Sequence, residues 1–177
     1  INGYGRAKAL AFKAIYIAPP DNISKQRFRT LDAEVIHAID GIPEEKLKEI
    51  IAKTVSFDFP TVKVDDNIAS LELFHGPTLA FKDMAMQLLG NLFEYVLNKT
   101  GREINILGAT SGDTGGAVAS GFLGVKGVNV VILYPSGKVS EVQEKQLTTL
   151  GQNIKALEVD GSFDDCQSMV KQAFMDH

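Results

Sequence analysis

The sequence predicts an α/β fold of parallel βαβ units, preceded by a small, mainly helical N-terminal lobe. Three observations carry that expectation. Near-continuous apolar runs at residues 104–107, 128–133 and 154–159 fit strands of a parallel sheet whose faces are covered by helices. Each run leads into a segment with helical spacing, at even intervals along the chain. The first run also empties into a glycine-rich loop, the usual junction between such a strand and its helix. Residues 1–60 are read as the helical lobe and residues 61–177 as the α/β domain, with the second half of the fold missing.

Taken in order, residues 6–12 suggest a short helix and residues 14–17 a strand, which Pro19-Pro20 ends because proline lacks the N–H that a ladder needs. Helical spacing covers residues 30–56. Leu31, Val35 and Ile39 share a face, Gly41 interrupts, and Pro43-Glu44-Glu45 opens a second helix with proline and acids in the first turn. Leu47, Ile50 and Ile51 supply its buried stripe; Lys46, Lys48, Glu49 and Lys53 form a solvated face. Phe59-Pro60 closes the lobe. Strands at residues 62–64 and 68–74 flank the turn signal Asp65-Asp66-Asn67 and suggest a hairpin. A helix at residues 83–99 places Leu88, Leu89, Leu92, Phe93 and Val96 on one face. After the three strands, helices are expected near residues 114–124, near residues 140–150, and from Ser162 onward.

Composition narrows the function. The 177 residues carry a net charge of -4, so the basic stripe that nucleic acid requires is missing. No apolar run nears the roughly 20 residues of a membrane span, and no signal-peptide pattern is read at the start of the sequence. One cysteine, Cys166, cannot make an internal disulfide, and with three scattered histidines it does not make a structural zinc site. Cys166, Met84 and Met86 read as packing residues. The expectation is a cytoplasmic protein of a reducing compartment. The chain opens on Ile1 and stops inside the helical pattern after Ser162, which reads as a fragment of something longer.

The loop Gly108-Ala109-Thr110-Ser111-Gly112-Asp113-Thr114-Gly115-Gly116 joins a strand to a helix, where backbone N–H groups and a helix N-terminus converge on an anion, and Thr110, Ser111 and Thr114 add hydroxyl donors. It lacks the Gly-Lys-[Ser/Thr] of a P-loop, the dinucleotide GxGxxG and the GxSxG of a nucleophile elbow. The plain alternative is a glycine-rich turn with a Ser or Asp helix cap. Asp113 complicates the anion reading, since it repels a bound carboxylate unless its charge meets a cation, a proton or loop N–H groups.

Of fourteen lysines, Lys13 and Lys82 each end a Leu-Ala-Phe-Lys tetrapeptide. Lys82 alone follows a strand-to-loop segment, His75-Gly76-Pro77-Thr78, and precedes a long helix at Asp83. An amine among apolar and small residues loses hydration, which favours its neutral, nucleophilic form. A snorkelling surface lysine fits the same segment equally well.

Here the residues carry a resemblance. The segment from Leu73 through His75-Gly76-Pro77-Thr78-Leu79-Ala80-Phe81-Lys82 to Asp83 resembles the cofactor-lysine segment of threonine synthases. Ala109 to Gly116 is similar to that family's second signature, and Gly137-Lys138-Val139-Ser140 followed by Gln143-Glu144-Lys145-Gln146 to a third. Lys13 to Ile17 with Pro20 resembles, less well, a stretch near the family's N-terminus. The motifs stand in the family's order and cover almost the whole chain.

The resemblance implies a pyridoxal 5'-phosphate enzyme of fold type II that converts O-phospho-L-homoserine and water to L-threonine and phosphate. Lys82 would hold the cofactor aldehyde and, once freed, remove the substrate α-proton. Ser111, Gly112, Thr114 and Gly115 would grip the substrate carboxylate. Asp113 would face the cofactor ring, where related families carry asparagine, and would accept a proton or balance a positive charge. His75 either lies near the substrate phosphate or fills a strand-end hydrogen bond; Lys138 either reaches an anion or faces water. Threonine synthases are longer, and a second glycine-rich loop in their C-terminal part holds the cofactor phosphate. After Gly116 this chain has only isolated glycines. The fragment alone is therefore expected to be inactive and to self-associate through the surface meant for the missing half. Two other readings remain: a related phospholyase that releases a 2-oxo acid, and a non-catalytic fragment of the fold.

Overall fold

The computed structural model describes residues 42–176. The helices expected at residues 6–12 and 30–40, the strand at residues 14–17, and Lys13 lie outside the described residues. The chain divides into two compact units, one ending at His75 and the other running from Gly76.

In the first unit, helix α1 spans Glu44–Thr54, with Pro43 before it and both acids in the first turn facing the positive end of the helix dipole. Leu47, Ile50 and Thr54 are its buried residues. Ile51, expected in that stripe, is only half-buried. Thr54 takes the core position at the last turn because its hydroxyl donates to the Ile50 carbonyl at 2.8 Å and needs no water. Lys46–Glu49 and Lys48–Glu44 pairs line the solvated face, where exposed pairs contribute little. Strands β1 (Thr61–Asp65) and β2 (Ile68–Leu71) form the expected antiparallel hairpin, with an irregularity between Lys63 and Asp65. The second strand is shorter than expected. The Glu72 N–H still bonds the Pro60 carbonyl at 2.9 Å, and then the chain leaves the ladder.

The second unit opens with a loop and then α2 (Asp83–Thr100), followed by β3 (Ile104–Ala109), α3 (Asp113–Phe122), β4 (Val128–Pro135), α4 (Glu141–Thr148), β5 (Ile154–Val159) and α5 (Phe163–Met175). The strands form one parallel sheet in the order β3-β4-β5. Alternate residues of β4, namely Val128, Val130, Ile132 and Tyr134, turn to a single face and meet Phe122 of α3 and Leu147 of α4 in the core. Helix α5 lies against β3 and β4. Only β4 comes close to the burial expected of all three strands, with Asn129 alone exposed. At the edge, β5 leaves Lys155, Leu157 and Glu158 exposed. Among the described residues, no helix is long and apolar enough to cross a membrane.

Two helices bring the lysine loop and the glycine loop together. Gly90 of α2 and Gly121 of α3 let their backbones touch: a Cβ on Gly90 would stand 2.0 Å from the Gly121 carbonyl oxygen. That approach, closer than any side chain permits, lays the last turn of α3 against the first half of α2, and at the other end of α3 Lys82 reaches Thr114. Lys82 and Asp113 sit at the N-terminal ends of α2 and α3.

Candidate functional site

The lysine loop is held by its own residues. Asp83, 1 % exposed, begins α2 and turns its carboxylate back on the loop. One oxygen accepts from the Thr78 N–H at 2.9 Å, and the other accepts from the Thr78 hydroxyl. Gly76 packs directly on that carboxylate, where a Cβ would come within 2.4 Å of an oxygen. Leu79 is forced to φ 61 at the exposed apex, a conformation costly for a leucine. The Asp83 N–H then closes a turn on the Ala80 carbonyl at 3.1 Å and leaves Lys82 as the last residue before the helix.

From there the Lys82 amine reaches into the glycine loop. Nζ donates to Thr114 Oγ1 at 2.7 Å and lies 3.9 Å from the nearer Asp113 carboxylate oxygen. It also stands over the Phe81 ring, 4.6 Å from its centroid. The side chain is 32 % exposed, so solvent or a ligand can reach it. Between the two lysine readings, this geometry favours an amine aimed at a defined set of partners over one trailing along the surface.

The glycine loop owes its shape to Thr110, which is buried at the end of β3. Its hydroxyl oxygen accepts from the Gly112 N–H at 3.0 Å and from the Gly115 N–H at 2.8 Å. The Thr114 N–H is taken by Asp113 Oδ1 at 2.8 Å. This answers the charge problem that Asp113 poses: one oxygen caps the loop and the other faces the lysine. Ser111 is exposed and, among the described residues, its N–H and hydroxyl have no hydrogen-bond partner. Gly112 at φ 142 is a conformation that glycine alone adopts comfortably.

The structure thus brings Lys82, Asp113 and Thr114 into direct reach of one another, with Ser111, Gly112 and Gly115 on the same loop. Thr110 reads in the sequence as one of the loop's hydroxyl donors toward a ligand; the structure instead turns its hydroxyl oxygen inward, as an acceptor for two loop N–H groups. His75 lies in the first unit, stacked on Phe74 and bonded to Glu72 through Nε2 at 2.6 Å. Lys138 is exposed. Cys166 is fully buried, and burial pushes its thiol pKa up, as for a packing residue.

No protein-family model matches the chain. It is 47% identical over 158 residues to a threonine synthase of Serratia marcescens, an alignment covering 88% of this chain and 36% of that protein. A crystal structure of threonine synthase with bound pyridoxal phosphate, from Brucella melitensis, superposes with TM-score 0.70 at 41% identity, over 88% of this chain and 37% of its own. The yeast threonine synthase structure gives TM-score 0.79 at 42% identity, over 85% and 34%. The chain therefore spans about a third of the length of the relatives it matches.

Proposed function

We propose that this chain, which is similar in sequence and fold to about a third of the length of threonine synthases, is the cofactor-lysine portion of a pyridoxal-phosphate enzyme that makes L-threonine and phosphate from O-phospho-L-homoserine and water. One observation carries the reading: the amine of Lys82 sits 2.7 Å from Thr114 and within 4 Å of Asp113, on the loop that by its resemblance to threonine synthases would bind the substrate carboxylate.

The residues fit the aldehyde and ring end of the cofactor. A primary amine is presented at the head of α2, a carboxylate stands beside it to balance positive charge, and the site is open on the Ser111 side. Bound there, the cofactor would draw electrons from the substrate's Cα. Lys82 would hold the cofactor through Nζ and later take the proton from the substrate Cα. Asp113 keeps one oxygen free for that amine or for the ring while its other oxygen fixes the Thr114 N–H. The substrate carboxylate would bind at the exposed Ser111 N–H and hydroxyl and at the Thr114 hydroxyl. Gly112 and Gly115 shape that cradle, their N–H groups held inward by Thr110. The enzyme would be cytoplasmic.

Product analysis of the full-length protein with O-phospho-L-homoserine tests the reading. Threonine and phosphate in equal amounts are expected. A 2-oxo acid with phosphate would assign it as a phospholyase, and no phosphate release would leave the non-catalytic reading.

Exposed Leu157, Met169 and Phe174, all on β5 and α5, give the 177-residue chain an apolar surface. On its own it is expected to self-associate, to bind cofactor weakly and to release no phosphate. Sedimentation and cofactor titration check this; a monomer with tight stoichiometric binding would refute it.

A further inference from the structure

We infer that Gln146, on α4, is a positioning residue that fixes the lysine loop against the glycine loop. Two glutamines three residues apart on α4 face the site. Gln146 donates from Nε2 to the Thr78 carbonyl at 3.2 Å, a contact made across 68 residues of sequence. A carbonyl only accepts, so the amide nitrogen must be the end that faces it. The other end of the same amide lies against the glycine loop's helix, where a Cβ on Gly116 would stand 3.0 Å from Gln146 Oε1. Gln143 lies flat on Gly112, where a Cβ would meet its side chain at 2.4 Å. It is held there by Ser140, whose N–H and hydroxyl both donate to Gln143 Oε1 in the capping box that opens α4.

One helical face thus touches both loops. The lysine loop has Asp83 pinning the Thr78 N–H and hydroxyl and Gln146 pinning its carbonyl, so Thr78 is fixed on both sides of its backbone. Lys82 follows four residues later, and its reach to Thr114 depends on where Thr78 is held. The two glycines are small because the two glutamines occupy the space a Cβ would need. Gln146 touches none of Lys82, Asp113 or Ser111 directly in the contacts of this structure; it acts through the Thr78 backbone.

This inference rests on Lys82 being the working amine, and the test separates the two. In the full-length protein, Gln146→Met keeps the length of the side chain and removes the donor. Thermal melting is expected to stay close to the parent, because only one half-buried neutral hydrogen bond is lost. The affinity for pyridoxal phosphate, read from the visible band of lysine-bound cofactor, is expected to fall roughly five- to tenfold. Without cofactor, the rate at which acetic anhydride labels Lys82, read by peptide mass spectrometry, should change by a similar factor, while labelling of exposed Lys138 stays constant. Parent-like affinity and labelling in Gln146→Met would overturn the inference. If that variant does not fold, Gln146→Asn, one methylene short of Thr78, serves in its place with the same two outcomes. A band that survives Lys82→Ala would instead overturn the functional reading itself.

Discussion

Lys82→Ala in the full-length protein is expected to abolish the visible absorption that pyridoxal phosphate acquires on lysine, and with it all release of phosphate. The effect should be complete, because no other amine among the described residues shares the position of Nζ, 2.7 Å from Thr114 and 3.9 Å from Asp113. Stability should barely change, since a side chain one-third exposed contributes little packing. Lys13→Ala, which removes the lysine of the twin Leu-Ala-Phe-Lys tetrapeptide, should keep both the band and the turnover. Absorbance titration of the two variants side by side decides between them. A band lost from the Lys13 variant and kept in the Lys82 variant would mean that the wrong tetrapeptide was chosen.

The two lysines were separable in sequence because their neighbours differ, and the same is true of most elements. The apolar run of β4 announces itself locally, since hydrophobic patterning depends on residues a few positions apart. Where the outcome depended on a distant neighbour, the sequence was mute. That β5 is an edge strand with Leu157 exposed follows from strand order, which no single segment encodes. Gly90 and Gly121 look like two weak points in helices until their backbones are seen to touch.

The site divides along the same line. Lys82 and residues 109–116 were legible because they form contiguous motifs. How the loop spends its donors was not: Thr110 takes the Gly112 and Gly115 N–H groups, so a glycine-rich loop that reads as a row of free N–H groups offers fewer than it contains. The role of α4 was hidden as well. Gln143 and Gln146 stood in a recognised signature, yet their purpose depends on Gly112, Gly116 and Thr78 arriving from elsewhere in the chain.

The contact between Asp83 and Thr78 leads to the second large effect, on stability. Asp83→Ala is expected to destabilise the fold by about 2–4 kcal/mol, read as a lower urea midpoint at unchanged slope. Three costs combine. The Thr78 N–H and hydroxyl lose their acceptor in a half-buried place, and Gly76 faces a void where it had packed on the carboxylate. The helix also loses the acid that meets the positive end of its dipole. Asp83→Asn should fall between, because the amide oxygen can still accept from the Thr78 N–H and its NH2 can donate to the Thr78 hydroxyl oxygen, while the negative charge at the helix N-terminus and the stronger charge-assisted bonds are lost. Thr78→Val, which removes the hydroxyl and keeps the N–H bond, should cost about 1 kcal/mol. With the carboxylate gone, Leu79 at φ 61 keeps only the bond from its own N–H to the Gly76 carbonyl and the hold of Gln146 on Thr78, so the loop loosens and Lys82 drifts from Thr114. Hydrogen exchange at residues 78–83 should therefore speed up more than at β4. An Asp83→Ala variant within about 0.5 kcal/mol of the parent, with no faster exchange in that loop, would show that the loop is held by something other than this carboxylate.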